Sequence, residues 1–252
     1  APASVANRQV STAPLTMVIL DPQERAEFKQ QELGRRRFAA DAERLALPDL
    51  PLSAGRSAAY RSRRSRRVFE SRSIPLTDWS SFLGVLDRLV LDGHGRHRYG
   101  SAGGLYPVQT YLHCKPNAVE NVAPGLHYYD PLGHALYPIA PGIELDREIH
   151  QAQINQPVFD QASFSIFLVG VTAAIEPMYG DLSRHFVAIE AGAMTQLLEE
   201  SAYALRIGLC QIGWIDFERI RPLFGLSDGD WLVHSLLGGP VRDDRMPDLT
   251  AE

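Results

Sequence analysis

The amino-acid sequence predicts an α+β fold, and three observations carry that prediction. Strand-like segments gather in the middle of the 252-residue chain, and the helical segments flanking them do not alternate regularly with them. No GxGxxG or P-loop pattern opens a helix after a strand, so dinucleotide and nucleoside-triphosphate sites lose their main support.

Taken in chain order, Asp21-Pro22-Gln23-Glu24 joins a good N-cap, a proline at the first helical position and a glutamate three residues after the cap. A helix is predicted from there to about Arg37. Residues Leu47 to Ser57, rich in Pro, Ser and Gly, read as a connection, which divides a lead-in at 1–51 from a main body at 52–252. Thr77 announces a second helix whose apolar residues Trp79, Phe82, Leu83, Leu86, Leu89 and Val90 follow three-and-four spacing. β pattern follows around Thr110 to His113 and from Leu126 to Ile139, with Asp130-Pro131-Leu132-Gly133 as a turn between two strands. Phe164 to Val171 has the length and apolarity of a strand covered on both faces. Ser183 to Ile207 reads as a long central helix with Phe186, Ile189, Ala193, Met194, Leu197 and Leu198 on its apolar surface, ended by Gly208. Trp231 to Leu237 supplies a last strand before Gly238-Gly239-Pro240.

Composition narrows the function classes. With 45% hydrophobic and 22% charged residues the chain can bury a full core. A net charge of −5 and a pI of 5.9 give no overall field for nucleic acid or an anionic membrane, so neither is an expected partner. Cys114 and Cys210 lie in unrelated segments and are expected to be unpaired, in a reducing cytoplasm. No apolar run approaches the roughly 20 residues of a membrane-spanning helix. The Ala-Pro-Ala start and the polar Asp-Leu-Thr-Ala-Glu end lead us to expect a domain cut from a larger polypeptide.

Two motifs could carry chemistry. The first is Arg61-Ser62-Arg63-Arg64-Ser65-Arg66-Arg67-Val68-Phe69, in which guanidinium groups interleave with hydroxyls. Arginine meets phosphate oxygens bidentately and serine adds a neutral donor, although a solvated basic stretch or a nucleic-acid patch has the same composition. Val68-Phe69 and the capped helix that follows favour an anchored segment. The second motif is Tyr99-Gly100-Ser101-Ala102-Gly103-Gly104-Leu105-Tyr106-Pro107. Adjacent glycines let backbone approach a ligand and turn amide groups toward an anion, or simply make a structural turn.

These blocks, together with Met178-Tyr179-Gly180 leading into Glu190-Ala191-Gly192-Ala193-Met194-Thr195-Gln196, resemble the nitroreductase superfamily from about Tyr60 onward. Within it the likeness is to SagB-type thiazoline and oxazoline dehydrogenases and the oxidase domains of nonribosomal peptide synthetases. The resemblance implies a nitroreductase-like FMN-binding fold: a central, mainly antiparallel sheet flanked by helices, in a domain-entwined homodimer. It implies that Arg63 and Ser65, in a block that includes Arg64, hold the FMN phosphate and ribityl chain, and that Arg67 lies at the flavin pyrimidine edge. A cation there favours the reduced, anionic flavin. It further implies that Ser101, Ala102, Gly103 and Gly104 come from the other subunit, that Gly213 and Trp214 approach flavin N5, and that Arg242 or Arg245 is a final phosphate ligand; a solvated tail is the bland alternative for those two.

Tyr179 is the implied substrate-side residue, as base or proton relay, or else a tyrosine packed on a loop. A phenol ionises near pH 10, so a basic role needs a cationic neighbour or a very acidic substrate proton. Relatives acting on ribosomal peptides carry a Lys-Tyr pair where this chain has Met178-Tyr179. The implied reaction is FMN-dependent dehydrogenation of a thiazoline or oxazoline, tethered to a peptidyl carrier protein, to the thiazole or oxazole. Alternatives are oxidation of a tethered amino-acid side chain or amine in pigment synthesis, a free NAD(P)H-dependent nitro or quinone reductase, and a silent docking domain. His94 and His97 form an HxxH pair without a third ligand, so no metal site is expected. His185 is read as buried or at an interface, Glu190, Glu199 and Glu200 as helix-surface or interface groups, and Cys210 as a small core residue.

Overall fold

The computed structural model describes residues 19, 21–49, 51, 53, 55, 57, 60, 61, 63–91 and 93–242, and it divides the chain into two compact units, Ala1–Pro51 and Leu52–Glu252. In the first unit the helix α1 spans Pro22–Gln30, and Asp21 caps it by accepting the amides of Gln23 and Glu24, each at 2.9 Å. It stops well short of Arg37. None of its residues is buried, and without an apolar face against a core a helix has little to extend it.

The second unit is built on one six-stranded sheet. Its strands are β3 (Val108–Cys114), β4 (Gly125–Asp130), β5 (Ala135–Pro141), β6 (Phe164–Gly170), β7 (Ile207–Ile212) and β8 (Trp231–Pro240). Their order is β5-β4-β3-β6-β8-β7 and every pairing is antiparallel. Central β6 is buried along its whole length. Phe164, Ile166 and Leu168 enter one hydrophobic cluster and Phe167 and Val169 the other, the period-two alternation that a strand covered on both faces requires.

The first cluster is roofed by helices α2 (Leu76–Leu83) and α5 (Ser183–Ala204). The second lies under α3 (Gln156–Gln161) and the segment around Phe217 to Phe224. At 1.5 Å per residue α5 runs for about 33 Å, and Val187, Ala191, Met194, Leu198 and Ala202 bury its sheet-facing stripe. A small helix, α4 (Glu176–Tyr179), precedes it. A separate ribbon pairs β1 (Leu89–Leu91) with β2 (His94–Arg96).

Several expectations need correcting. The second helix begins at Leu76 rather than Thr77 and closes in a 3-10 turn at Gly84–Leu86, while Leu89 and Val90 leave it for exposed β1. Asp87 is drawn into extended backbone because its carboxylate is held by Tyr129 Oη and, at 2.8 Å, by His134 Nδ1. In α5, Ile189 is 56% exposed rather than part of the buried face. Gly208 does not end that helix: Arg206, in left-handed backbone at φ 52°, makes the exit, and Gly208 belongs to β7, a strand the apolar pattern did not announce. Gly238-Gly239-Pro240 continues β8 instead of following it.

Candidate cofactor and substrate site

The arginine-rich segment is laid across the end of the sheet by main-chain bonds. The Arg66 amide donates to the Leu209 carbonyl and the Glu70 amide to the Pro240 carbonyl, each at 2.8 Å. Glycines make that approach possible. A Cβ at Gly208 would sit 2.8 Å from Arg66 Cβ, and one at Gly239 would sit 3.0 Å from Phe69 Cβ, so side chains there would lift the segment away. Phe69 packs on the second cluster, whereas Val68 is 73% exposed, so the anchor expected from Val68-Phe69 is Phe69 alone.

This strap borders two spaces. Arg64, Ser65 and Arg67 line a cleft of about 380 Å³ together with Glu70 and Arg242. Glu70 also holds Arg72 at 2.9 Å, which offsets its charge. On the other side, Arg63, Arg64 and Arg66 line a cavity of about 290 Å³ against Glu199, Glu200 and Tyr203 of α5. Arg63 stands 3.9 Å from Glu199. Gly213 and Trp214 follow β7; a Cβ on Gly213 would meet no atom within 4 Å, and Trp214 is 59% exposed, although its carbonyl is reached by Asn155 Nδ2 at 3.5 Å. Arg245 lies outside the described residues.

The glycine loop is fixed by a residue the sequence reading assigned to a surface or an interface. Glu190 is 1% exposed and its carboxylate accepts the Val108 amide at 3.2 Å and the Ser101 hydroxyl. Ser101 Oγ in turn accepts the Tyr106 amide at 2.8 Å. Burial raises the Glu190 pKa, and the bonds from Ser101 and Val108 oppose the rise. Ala102–Gly104 then form a 3-10 turn with Gly103 at φ 61° and Gly104 at φ 67°. A carboxylate inside an apolar helix stripe was the available signal for Glu190, since such a group is buried only when donors meet it.

Tyr179 joins this loop. A Cβ on Gly103 would lie 3.0 Å from Tyr179 Oη, and the phenol ring packs edge-on against Phe186 at 4.9 Å. Within one chain the loop and the strap do not converge, because Glu190 and Glu199 mark their places on α5 and nine residues of helix separate those marks by about 14 Å.

Other expectations resolve as follows. His185 is exposed rather than buried in the single chain. Glu199 has a side chain only 15% exposed, and its Oε1 accepts Gln211 Nε2 at 2.7 Å. Gln211 Oε1 then meets His234 Nε2 at 3.1 Å. Cys210 is buried in the core, and desolvation raises its thiol pKa while Arg67 lowers it. His97 packs on Tyr106 at 4.2 Å and bonds the Leu86 carbonyl at 3.0 Å. Among the described residues no cluster of three or more His, Cys, Asp or Glu could hold a metal, and no helix is long and apolar enough to cross a membrane.

Comparison with known proteins adds an independent line. A model of the family described as "Nitroreductase family" matches residues 60–239. Two curated relatives are both named indigoidine synthase: one from Dickeya dadantii is 28% identical over 66% of this chain, and one from Streptomyces lavendulae is 31% identical over 44% of it. The matched regions cover 10% and 8% of those proteins, so this chain spans only a small part of their length. Among solved structures, a chain of the E. coli microcin synthetase McbBCD complex with truncated pro-MccB17 bound superposes with a TM-score of 0.67 over 90% of this chain and 85% of that one. At 16% identity that likeness shows the shared fold.

Proposed function

The chain belongs to the nitroreductase family, and from that premise we propose that residues 52–252 form an FMN-dependent oxidase domain that dehydrogenates a carrier-tethered thiazoline or oxazoline. The observation that carries the reading is the cleft in which Arg64, Ser65 and Arg67 of the strap meet Arg242. The guanidinium groups of Arg64, Arg66, Arg67 and Arg242 and the Ser65 hydroxyl, which line the cleft with Glu70, suit a doubly charged phosphate ester, and open backbone at Gly213 suits a flat ring passing close by. In this reading Arg64, Ser65 and Arg242 would hold the phosphate and ribityl chain and Arg67 would balance charge at the pyrimidine edge, while Arg63, implied by the resemblance as a phosphate ligand, lies on the other side of the strap beside Glu199. When bound, FMN supplies the two-electron oxidant that such a reaction needs.

The Ser101 loop and Tyr179 would complete the site from a second copy. Leu182 and Ile189 are exposed, with half-buried Phe186 and Ala193 continuing the same three-and-four spacing, an apolar stripe suited to packing against another protomer. Glu190 would keep that loop rigid, and Tyr179 would lie beside the substrate.

The two relatives named indigoidine synthase favour a second reading, oxidation of a tethered amino-acid side chain or amine in pigment synthesis. One set of spectra separates the possibilities. Protein mixed with excess FMN should become yellow, with FMN identified by mass after heating, and a thiazolinyl thioester should bleach it. Bleaching by an aminoacyl thioester instead selects the second reading, rapid bleaching by NADPH alone selects a reductase, and failure to take up FMN overturns all three.

A further inference from the structure

Beside the strap lies a hydrogen-bonded chain that neither the arginine motif nor the glycine loop accounts for: Glu199 on α5, Gln211 on β7 and His234 on β8, linked at 2.7 and 3.1 Å. Its members have different bonding capacities, and those capacities fix its direction. An ionised carboxylate can only accept, so the bond at Glu199 must come from the Gln211 amide nitrogen. The Gln211 oxygen is thereby turned toward His234 and can only accept, so His234 Nε2 must carry the proton. The remaining lone pair of the ring is at Nδ1.

A second, independent feature aims this ring. Leu168 pairs with His234 and Val169 with Leu232, so Val233 is an extra residue in β8, a bulge that breaks the alternation. Leu232 consequently packs on the second cluster, whereas His234 takes the face of its pair Leu168 and of Leu236, toward α5. Bulges of this kind re-aim side chains beside functional sites. Two residues beyond Gln211, β7 opens into Gly213 and Trp214. The charged groups disposed around the chain are Glu199 from α5, Arg63 3.9 Å from that carboxylate, and Arg67, whose charge is felt at neighbouring Cys210.

We infer that His234 is the proton acceptor on the strap side of the active site, with Gln211 and Glu199 as the positioning residues that present its Nδ1 lone pair. This deepens the oxidase reading and rests on it. The step is a proton transfer: a substrate C–H bond breaks with its electron pair left on carbon, and an N–H bond forms at Nδ1. The resulting imidazolium is balanced through Gln211 by the Glu199 carboxylate, and the accompanying two-electron loss goes to the flavin of the oxidase reading. Partial burial lowers the His234 pKa, opposed by Glu199, which keeps the ring neutral and receptive at pH 7. Tyr179, packed against Phe186, is left to orient substrate from the loop side.

The test uses full-length protein carrying ¹⁵N-labelled histidine. At pH 7 the His234 ring should show the Nε2–H tautomer, Gln211→Leu should mix the tautomers, and FMN should shift the His234 nitrogens while leaving those of His134 in place. With a thiazolinyl thioester as probe, His234→Gln should lower kcat by about 100-fold or more, the usual contribution of a general base. FMN affinity and the KM for the probe should stay within about twofold, and the acid limb of the kcat profile should disappear. If FMN changes the visible spectrum but His234 neither shifts nor matters to kcat, the inference falls and the oxidase reading stands. If FMN does not bind at all, absorbance alone reveals it and both fall together.

Discussion

The two ends of α5 carry different kinds of surface. Near Glu190 the Ser101 loop is held by a buried carboxylate with two protein donors, so its shape is set before any ligand arrives. Near Glu199 the strap is held by its main chain, and Arg63, Arg64, Ser65 and Arg67 reach outward. One end is a preformed template and the other an exposed, arginine-rich surface. On the proposed reading, one helix would serve both halves of a site formed between copies, each chain lending its rigid end to the neighbour's charged end.

Removing Glu190 attacks the template end and should have the largest effect. Glu190→Ala leaves the buried Val108 amide without an acceptor and removes the partner of the half-buried Ser101 hydroxyl, a loss of about 4 kcal/mol read from urea unfolding, whereas Glu190→Gln should retain most of it. An unchanged midpoint for the alanine variant would mean that Glu190 does not hold the loop.

Acid should act on the opposite face of the sheet, at the second cluster, where His150 packs on Phe159. His150 pairs with Ile215, next to Trp214, and burial, reinforced by Lys115, lowers its pKa to about 4. The unfolded ring protonates near pH 6.5, so the stability is complete above that value and is lost as the pH falls from about 6.5 toward about 4. The loss should reach about 3 kcal/mol. His150→Phe should flatten the urea midpoint between pH 7 and pH 4.5, and an equally steep profile would assign the acid sensitivity elsewhere.

Gly208→Ala sharpens the contrast at the strap itself. Its Cβ would press on Arg66 and Val241, costing about 2 kcal/mol and weakening FMN binding without altering the Ser101 loop. Arg242→Ala should have the mildest effect, raising the FMN Kd about tenfold, as expected for one lost charge-assisted bond. No change would transfer that role to Arg245.

How much of this could be read in the sequence depends on what each residue needs in order to declare itself. Phe164 to Val171 was legible because a strand buried on both faces must be continuously apolar, and Asp130 to Gly133 because a tight turn needs those residues. β7 was hidden by Gly208, which looks like a helix terminator and is instead required by the strap crossing above it. Leu89 and Val90 continued a helical spacing that the Asp87 contacts with Tyr129 and His134 interrupt, and those partners lie more than forty residues away. At the site, the arginines and glycines form local motifs. Glu190, Gln211 and His234 do not, because the groups they bond to lie on other elements.

The central claim is that the strap of one chain and the Ser101 loop of another build one cofactor site, and subunit complementation tests it most directly. A strap variant carrying Ser65→Ala with Arg67→Glu and a loop variant carrying Gly103→Val should each fail to bind FMN. Unfolded together and refolded as a mixture, they should recover binding at about one site in four, because half of the dimers formed would hold one intact site. If the mixture binds no FMN, or if either variant alone binds normally, the site is not shared between chains in the way described.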